Sequence, residues 1–337
     1  MARSQAATSG AEYAGGAPMR WACRTEVITV EAAVVSTSLP GRMRTSLAGE
    51  WRQAGSAQRF AYLAGGALIL AGLAHLAAWL VVGGAWQGPV SFRKPATFGA
   101  SFGLTTITLA WITSRLRISA RTRWLLLGPL AAADATEVAW VAVQRWRGVA
   151  SHFNFATTLD TALFVVGGAA IAVTVTIIVA LTVLAFTHMQ APPSMAVAIR
   201  AGLVILLVAQ AVGGWMIGHG VGPASDGVTQ GLTTVGAAGV MKVPHAVAMH
   251  AIQVLPGLAW LLSFAGLAAR RRLGLVWAAT AGYGALVAVS VAQTAAGRAP
   301  FDLGAATAAL TLVGVALLAA AYAAAVLALR HPTQAST

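Results

Sequence analysis

The chain has little charge and almost no cysteine, and each shortage removes a class of function. Of its 337 residues only 9% are charged, nine of them acidic, against 58% hydrophobic. A water-soluble core of this length does not require that ratio, so lipid is the solvent for most of the chain. The single cysteine, Cys23, excludes an intramolecular disulfide and a cysteine-based metal site, leaving His, Asp and Glu to hold any metal or haem. Residues 1–57 are polar, and no run among them is apolar enough for a signal-peptide core.

What the chain does have is positive charge, formally +13. Nucleic-acid binding needs basic residues massed on one face among polar or aromatic neighbours. Here they stand in short tracts between apolar runs. That is the positive-inside pattern of a membrane protein, and no nucleic-acid partner is expected.

From Phe60 onward the apolar segments are each close to the roughly 20 residues that cross a bilayer. Spans are expected at about 60–82, 97–115, 122–144, 161–187, 196–218, 245–269, 273–294 and 303–329. The third contains Asp134 and Glu137, yet these share one helical stripe with Val141 and Gln144, which keeps it a helix. The expected fold is therefore all-α, a polytopic transmembrane bundle of about eight spans over 58–331. It is preceded by a disordered extension over 1–57 and followed by a tail at 332–337. A second reading places the start of the chain at Met43.

Arg115, Arg117, Arg121 and Arg123 lie between spans two and three, and Arg270, Arg271 and Arg272 between six and seven. Those loops are expected in the cytoplasm, and with eight spans both termini are too. Roughly 16 Lys and Arg then lie inside against 6 outside. No internal repeat is evident between the two halves.

With that topology, the helical rise of 1.5 Å per residue gives each polar residue a depth. His75 and His250 fall roughly 10 and 9 Å below the outer face, and Glu137, Gln210 and Gln253 roughly 12–14 Å. Gln144 is nearer the surface. The inner halves of spans four, six and eight, such as 173–186 and 310–329, are almost wholly Val, Ala, Leu and Thr. Interhelical hydrogen bonds that only hold a bundle together have no reason to prefer one leaflet, whereas ligand sites and proton relays do.

The outer loops continue the pattern. Arg93 and Lys94, in the run Ser91 to Pro95, are cations on the side that usually lacks them; Glu137, Asp160, an anionic ligand or lipid phosphate are the candidate partners. Asp160 also suits the N-cap of span four. His152 and Asn154 fit a loop folded back into a vestibule. Pro244 suits a first helical position, which puts His245 at the outer mouth. His250, Gln253 and Gly257 share a stripe on which the glycine admits a close neighbour.

The run Arg147-Gly148-Val149-Ala150-Ser151-His152-Phe153-Asn154, with Asp160 after it, Ser91 to Pro95 before it and His245 to Gln253 beyond, resembles a set of bacterial multi-span membrane proteins. The resemblance covers most of residues 60–256 and implies a bacterial inner-membrane location, with no activity attached.

Three functions compete. In the first, His75 and His250 supply axial nitrogens to a haem b, with Glu137, Gln144 and Gln253 leading protons to a quinone. The second is a transporter or receptor whose vestibule, lined by Arg93, Lys94, Arg147, His152 and Asn154, takes a small carboxylate or phosphate. The third is a membrane enzyme using Glu137 as acid or base with His152 or His245. The apolar faces of spans four and eight suit lipid or a second protomer equally.

Overall fold

The computed structural model describes residues 38–330. Ten helices and one small hairpin follow in order: α1 (Leu39–Gln53), α2 (Ser56–Val82), α3 (Arg93–Thr113), α4 (Ala120–Trp146), α5 (Thr158–Thr187), α6 (Pro193–Ser225), β1 (Thr234–Val235), β2 (Gly239–Val240), α7 (Lys242–Met249), α8 (Ala251–Ser263), α9 (Ala269–Ala295) and α10 (Ala305–Arg330). Taking α7 and α8 as one interrupted span, eight segments are long and apolar enough to cross a membrane. The protein is a multi-pass membrane helical bundle.

Eight crossings return the chain to the face from which it set out. One face carries the 114–119, 188–192 and 264–268 turns, with Arg115, Arg117, Arg121, Arg123 and Arg270 to Arg272 in or beside them. The other carries the 83–92, 147–157, 226–241 and 296–304 connections. We call them the arginine face and the site face.

Helix α6 is central, packing on α5, α7, α8 and α9, while α3 joins the α2–α4 group to α8. The fully buried large side chains include Leu109 and Ile112 of α3, Leu127 and Leu130 of α4, Ile178 and Leu181 of α5, Ile199, Leu203 and Leu206 of α6, and Ile252 of α8. Most stand in the half of their helix nearer the arginine face. The dry core thus occupies one half of the bundle and leaves the other half for polar groups.

Lipid supplies no hydrophobic drive between helices, so close packing relies on small residues. A Cβ on Gly99 would stand 2.6 Å from Leu68 O, and one on Gly103 2.4 Å from Gly65 O, so α2 and α3 touch backbone to backbone. Gly282 and Gly314 do the same for α9 and α10.

Three arginines cap helix C-termini on the arginine face. Arg42 donates to Phe264 O (3.2 Å), Arg123 to Thr113 O (3.2 Å) and Arg200 to Ala185 O (2.8 Å). Each guanidinium meets carbonyls that have no partner within their helix, at the negative end of the helix dipole.

The expectation of disorder over 1–57 fails from residue 39 to 53, where α1 forms; residues 1–37 lie outside the described part, as do those of the expected tail. Ser38 caps α1. Long-range contacts hold the helix: Glu50 pairs with Arg115, Trp260 Nε1 donates to Ser46 (3.3 Å), and Arg42 reaches Phe264. Helix α6 runs to Ser225, beyond the expected end of its span at residue 218, and the hairpin follows. There Ala238 N donates to Gly297 O (3.1 Å), tying the hairpin to the end of α9.

Candidate functional site

Helix α4 carries the two acids inside the bundle. Asp134 is fully buried, with Thr106 of α3 donating to Oδ2 (2.6 Å) and Thr174 of α5 donating to Oδ1 (2.9 Å). Its oxygens are therefore satisfied by two neighbouring helices, without a basic partner among the described residues. One turn nearer the site face, Glu137 is 2% exposed. Its Oε1 lies 3.5 Å from His152 Nε2, and its Oε2 has no hydrogen-bond partner among the described residues.

His152 reaches Glu137 because the 147–157 loop folds back into the bundle. Gly148, at φ 74°, turns the chain where a side chain would be strained. Phe153, at φ 55°, is the one non-glycine residue described with positive φ, and Gly220 makes room for its ring: a Cβ there would stand 2.7 Å from it. The imidazole lies over Trp140 at 4.6 Å and edge-on to Phe98 at 5.5 Å, while its Nδ1 is 3.1 Å from Ser151 Oγ. Burial first, then the charges of Lys94 and Lys242, hold its pKa well below the ordinary histidine value. The same burial and lysine charges disfavour an ion pair with Glu137, and the 3.5 Å contact is a long one between imidazole and carboxyl.

Trp140 is one turn further out from Glu137 and 5% exposed, and its Nε1–H also has no partner among the described residues. Gly167 of α5 creates the space for both, since a Cβ there would be 2.2 Å from the indole and 3.0 Å from Glu137 Oε2. Lys94, in the first turn of α3, and Lys242, the first residue of α7, lie within electrostatic range of each other and of His152. Lys94 also feels Glu137, and Lys242 feels Arg93.

The structure thus brings Lys94, Glu137 and His152 together with Arg93 beside them. It places the other expected site residues elsewhere. Gln144, Arg147 and Asp160 form a closed network in which Asp160 Oδ1 accepts from Gln144 (2.9 Å) and Arg147 (2.6 Å), and Arg147 also donates to Gln144. The N-cap of α5 is Thr157, which accepts from Asp160 N (3.1 Å); Asp160 stands at the third helical position. Asn154 makes a local turn, accepting from Ala156 N and donating to Ala150 O. His245 bonds Ala209 O (2.8 Å), with Gly213 beside its ring. Pro244 is the third residue of α7 and not the first.

The two histidines read as a haem pair have different neighbours. His75 of α2 has both nitrogens engaged, Nδ1 with Ala71 O (2.7 Å) and Nε2 accepting from Trp146 Nε1 (3.2 Å), and α2 packs on α3 and α4. His250 is exposed at the junction of α7 and α8, which pack mainly on α6 and α9. Gln253, with its amide nitrogen turned to the backbone, donates to Met249 O and His250 O (each 3.2 Å). Gly257 has open space where a close neighbour was expected. The packing does not converge on a bis-histidine site.

Trp140, Gly167 and Lys242 join the residues expected from the sequence at this site. A signal existed for Trp140, which lies i+3 from Glu137 on the same face, and for Lys242 as one of the few cations on the sparsely basic side. Nothing local marks Gly167. Comparison with models of known families, with curated proteins and with solved structures finds no match.

Proposed function

We propose that the protein is a bacterial inner-membrane protein with the arginine face in the cytoplasm, and that it uses Glu137 and His152 as an acid–base pair on a small polar ligand admitted from the outer side. The observation that carries this reading is the buried carboxyl of Glu137, with one oxygen toward a neutral imidazole and the other unpartnered. Intramembrane carboxyls without a structural partner are costly and mark functional sites. Asp134, three residues away, shows how this bundle treats a structural acid: both oxygens receive hydroxyl bonds.

Two features favour a one-sided site over a conduit. The arginine-face half is a packed core of Leu and Ile, and, Asp134 apart, the ionisable groups that act on Glu137 and His152, namely Lys94 and Lys242, stand toward the site face. The approach of Glu137 Oε1 to His152 Nε2 offers a path for a proton between the two groups.

Infrared difference spectroscopy on proteoliposomes tests the reading, with pH stepped on one side at a time. A carboxyl C=O band that responds to the outer side, disappears in Glu137→Gln and changes its titration in His152→Ala is the expected result. A band that ignores outer pH, or that survives Glu137→Gln unchanged, sinks the proposal.

A further inference from the structure

Helix α1 is held to the bundle by one stripe of residues. Arg42 donates to Phe264 O, Ser46 accepts from Trp260 Nε1, and Glu50 pairs with Arg115. Residues four apart share a helix face, and these three reach from the end of α8 to the end of α3, so α1 lies across the helix ends. Arg44, Leu47 and Trp51 form a second stripe, about 130° round the same helix. All three are exposed, Leu47 at 56% and Trp51 at 44%.

The depth of that second stripe follows from its neighbours. The Trp51 ring lies 6.2 Å from that of Tyr62, in the second turn of the membrane-spanning α2. Arg59 stands 5.9 Å over Trp51 while donating to Arg52 O (3.1 Å). At the same level Phe60 meets Trp124 of α4 (5.5 Å), whose Nε1 donates to Ser56 (3.0 Å). Near the other end of α2, Trp79 packs on Trp86 (4.6 Å). From Phe60 to Trp79 the helix rises about 28 Å, close to the roughly 30 Å of a hydrocarbon core, so the two aromatic groups mark the two membrane interfaces. Trp51 is therefore at headgroup level, where an outward-facing side chain meets lipid.

The charge fits the same surface. Glu50 is the one acid on the arginine face among the described residues, and Arg115 takes it; Arg44 and Arg59 are exposed and have no acidic partner there. An apolar pair flanked by two cations matches a boundary that is oily on one side and anionic on the other.

We infer that α1 is an interfacial helix that binds anionic phospholipid headgroups in the leaflet of the arginine face. Leu47 and Trp51 sink to the top of the acyl chains, and Arg44 and Arg59 meet phosphates. A zwitterionic headgroup offers the same phosphate but offsets it with its own ammonium, so lipids of net negative charge are selected.

Two measurements on the full chain test this. In a Cys23→Ser background, a nitroxide is attached in Leu47→Cys and in Thr45→Cys, the latter an exposed position between the stripes. In nanodiscs the label at 47 should be reached by oxygen more than by a water-soluble nickel chelate, and the label at 45 the reverse. A label at 47 as open to nickel as that at 45 overturns the inference. So does one shielded only at protein densities that promote self-association, which assigns the stripe to a second copy. Native mass spectrometry from mixed phosphatidylcholine and phosphatidylglycerol should show the anionic lipid retained in preference, by about fivefold less in each of Arg44→Gln and Arg59→Gln. Equal retention of the two lipids, or a preference that survives both substitutions unchanged, defeats it.

Discussion

A histidine buried beside two lysines titrates differently from one in water. Unfolded, His152 takes a proton near pH 6.5, while in the folded protein burial and then Lys94 and Lys242 keep it neutral well below that. Its contribution to stability is therefore full above about pH 6.5 and is lost as pH falls toward the folded pKa, by no more than about 1.4 kcal/mol per unit. Thermal unfolding in detergent should show a lower midpoint at about pH 5.5 than at about pH 7.5. His152→Gln should flatten that decline, and an unchanged decline would assign it to other groups. Gly167 makes the second residue-scale prediction. Alanine there drives a methyl into the Trp140 ring, and overpacking of this kind costs about 1–3 kcal/mol. The variant should unfold earlier and should also alter the Glu137 infrared band, since the same methyl reaches Oε2.

Among the helices, the α2–α3 contact is the most constrained. Gly99→Ala must separate two backbones that now touch, and we expect a loss of about 1–3 kcal/mol by denaturant titration. Gly66, which faces open space on the same hairpin, is the control; Gly66→Ala should be neutral or gain about 0.5–1 kcal/mol. Equal effects at the two positions would remove the packing explanation. This scale also shows what the sequence made legible. All eight spans were readable, since length and hydropathy are local properties. Helix α1 was not, because it carries three arginines and its partners Arg115, Trp260 and Phe264 are remote in the chain. The sixth span is interrupted at His250, upstream of Pro256, which has no N–H to offer Ile252 O; that proline was visible. The hairpin left no pattern, since its strands are two residues each and depend on Gly297 for a neighbour. The site was half legible. Lys94, Glu137 and His152 were named from charge and depth, but Arg147 and Asp160 proved to satisfy each other, a pairing that only the fold of the loop decides.

At the scale of the whole molecule, the core and the polar groups divide the bundle between them. The proposed orientation, with the arginine face in the cytoplasm, rests on positive-inside statistics. In a Cys23→Ser background, an impermeant maleimide applied to intact cells should label Gln87→Cys but reach Ala268→Cys only after permeabilisation. The opposite pattern would place the acid–base site on the cytoplasmic side and require a cytoplasmic ligand.

The clamp of Thr106 and Thr174 on Asp134 bears on how the protein is made. An acid at the centre of a lone hydrophobic segment costs about 2.5–3.5 kcal/mol to insert, and α4 carries two acids. As the nascent chain leaves the ribosome, α3 has already been threaded and brings one hydroxyl, while the other arrives only with α5. Helix α4 should therefore linger at the translocon until α5 emerges, so that α3, α4 and α5 are released into the bilayer as one unit.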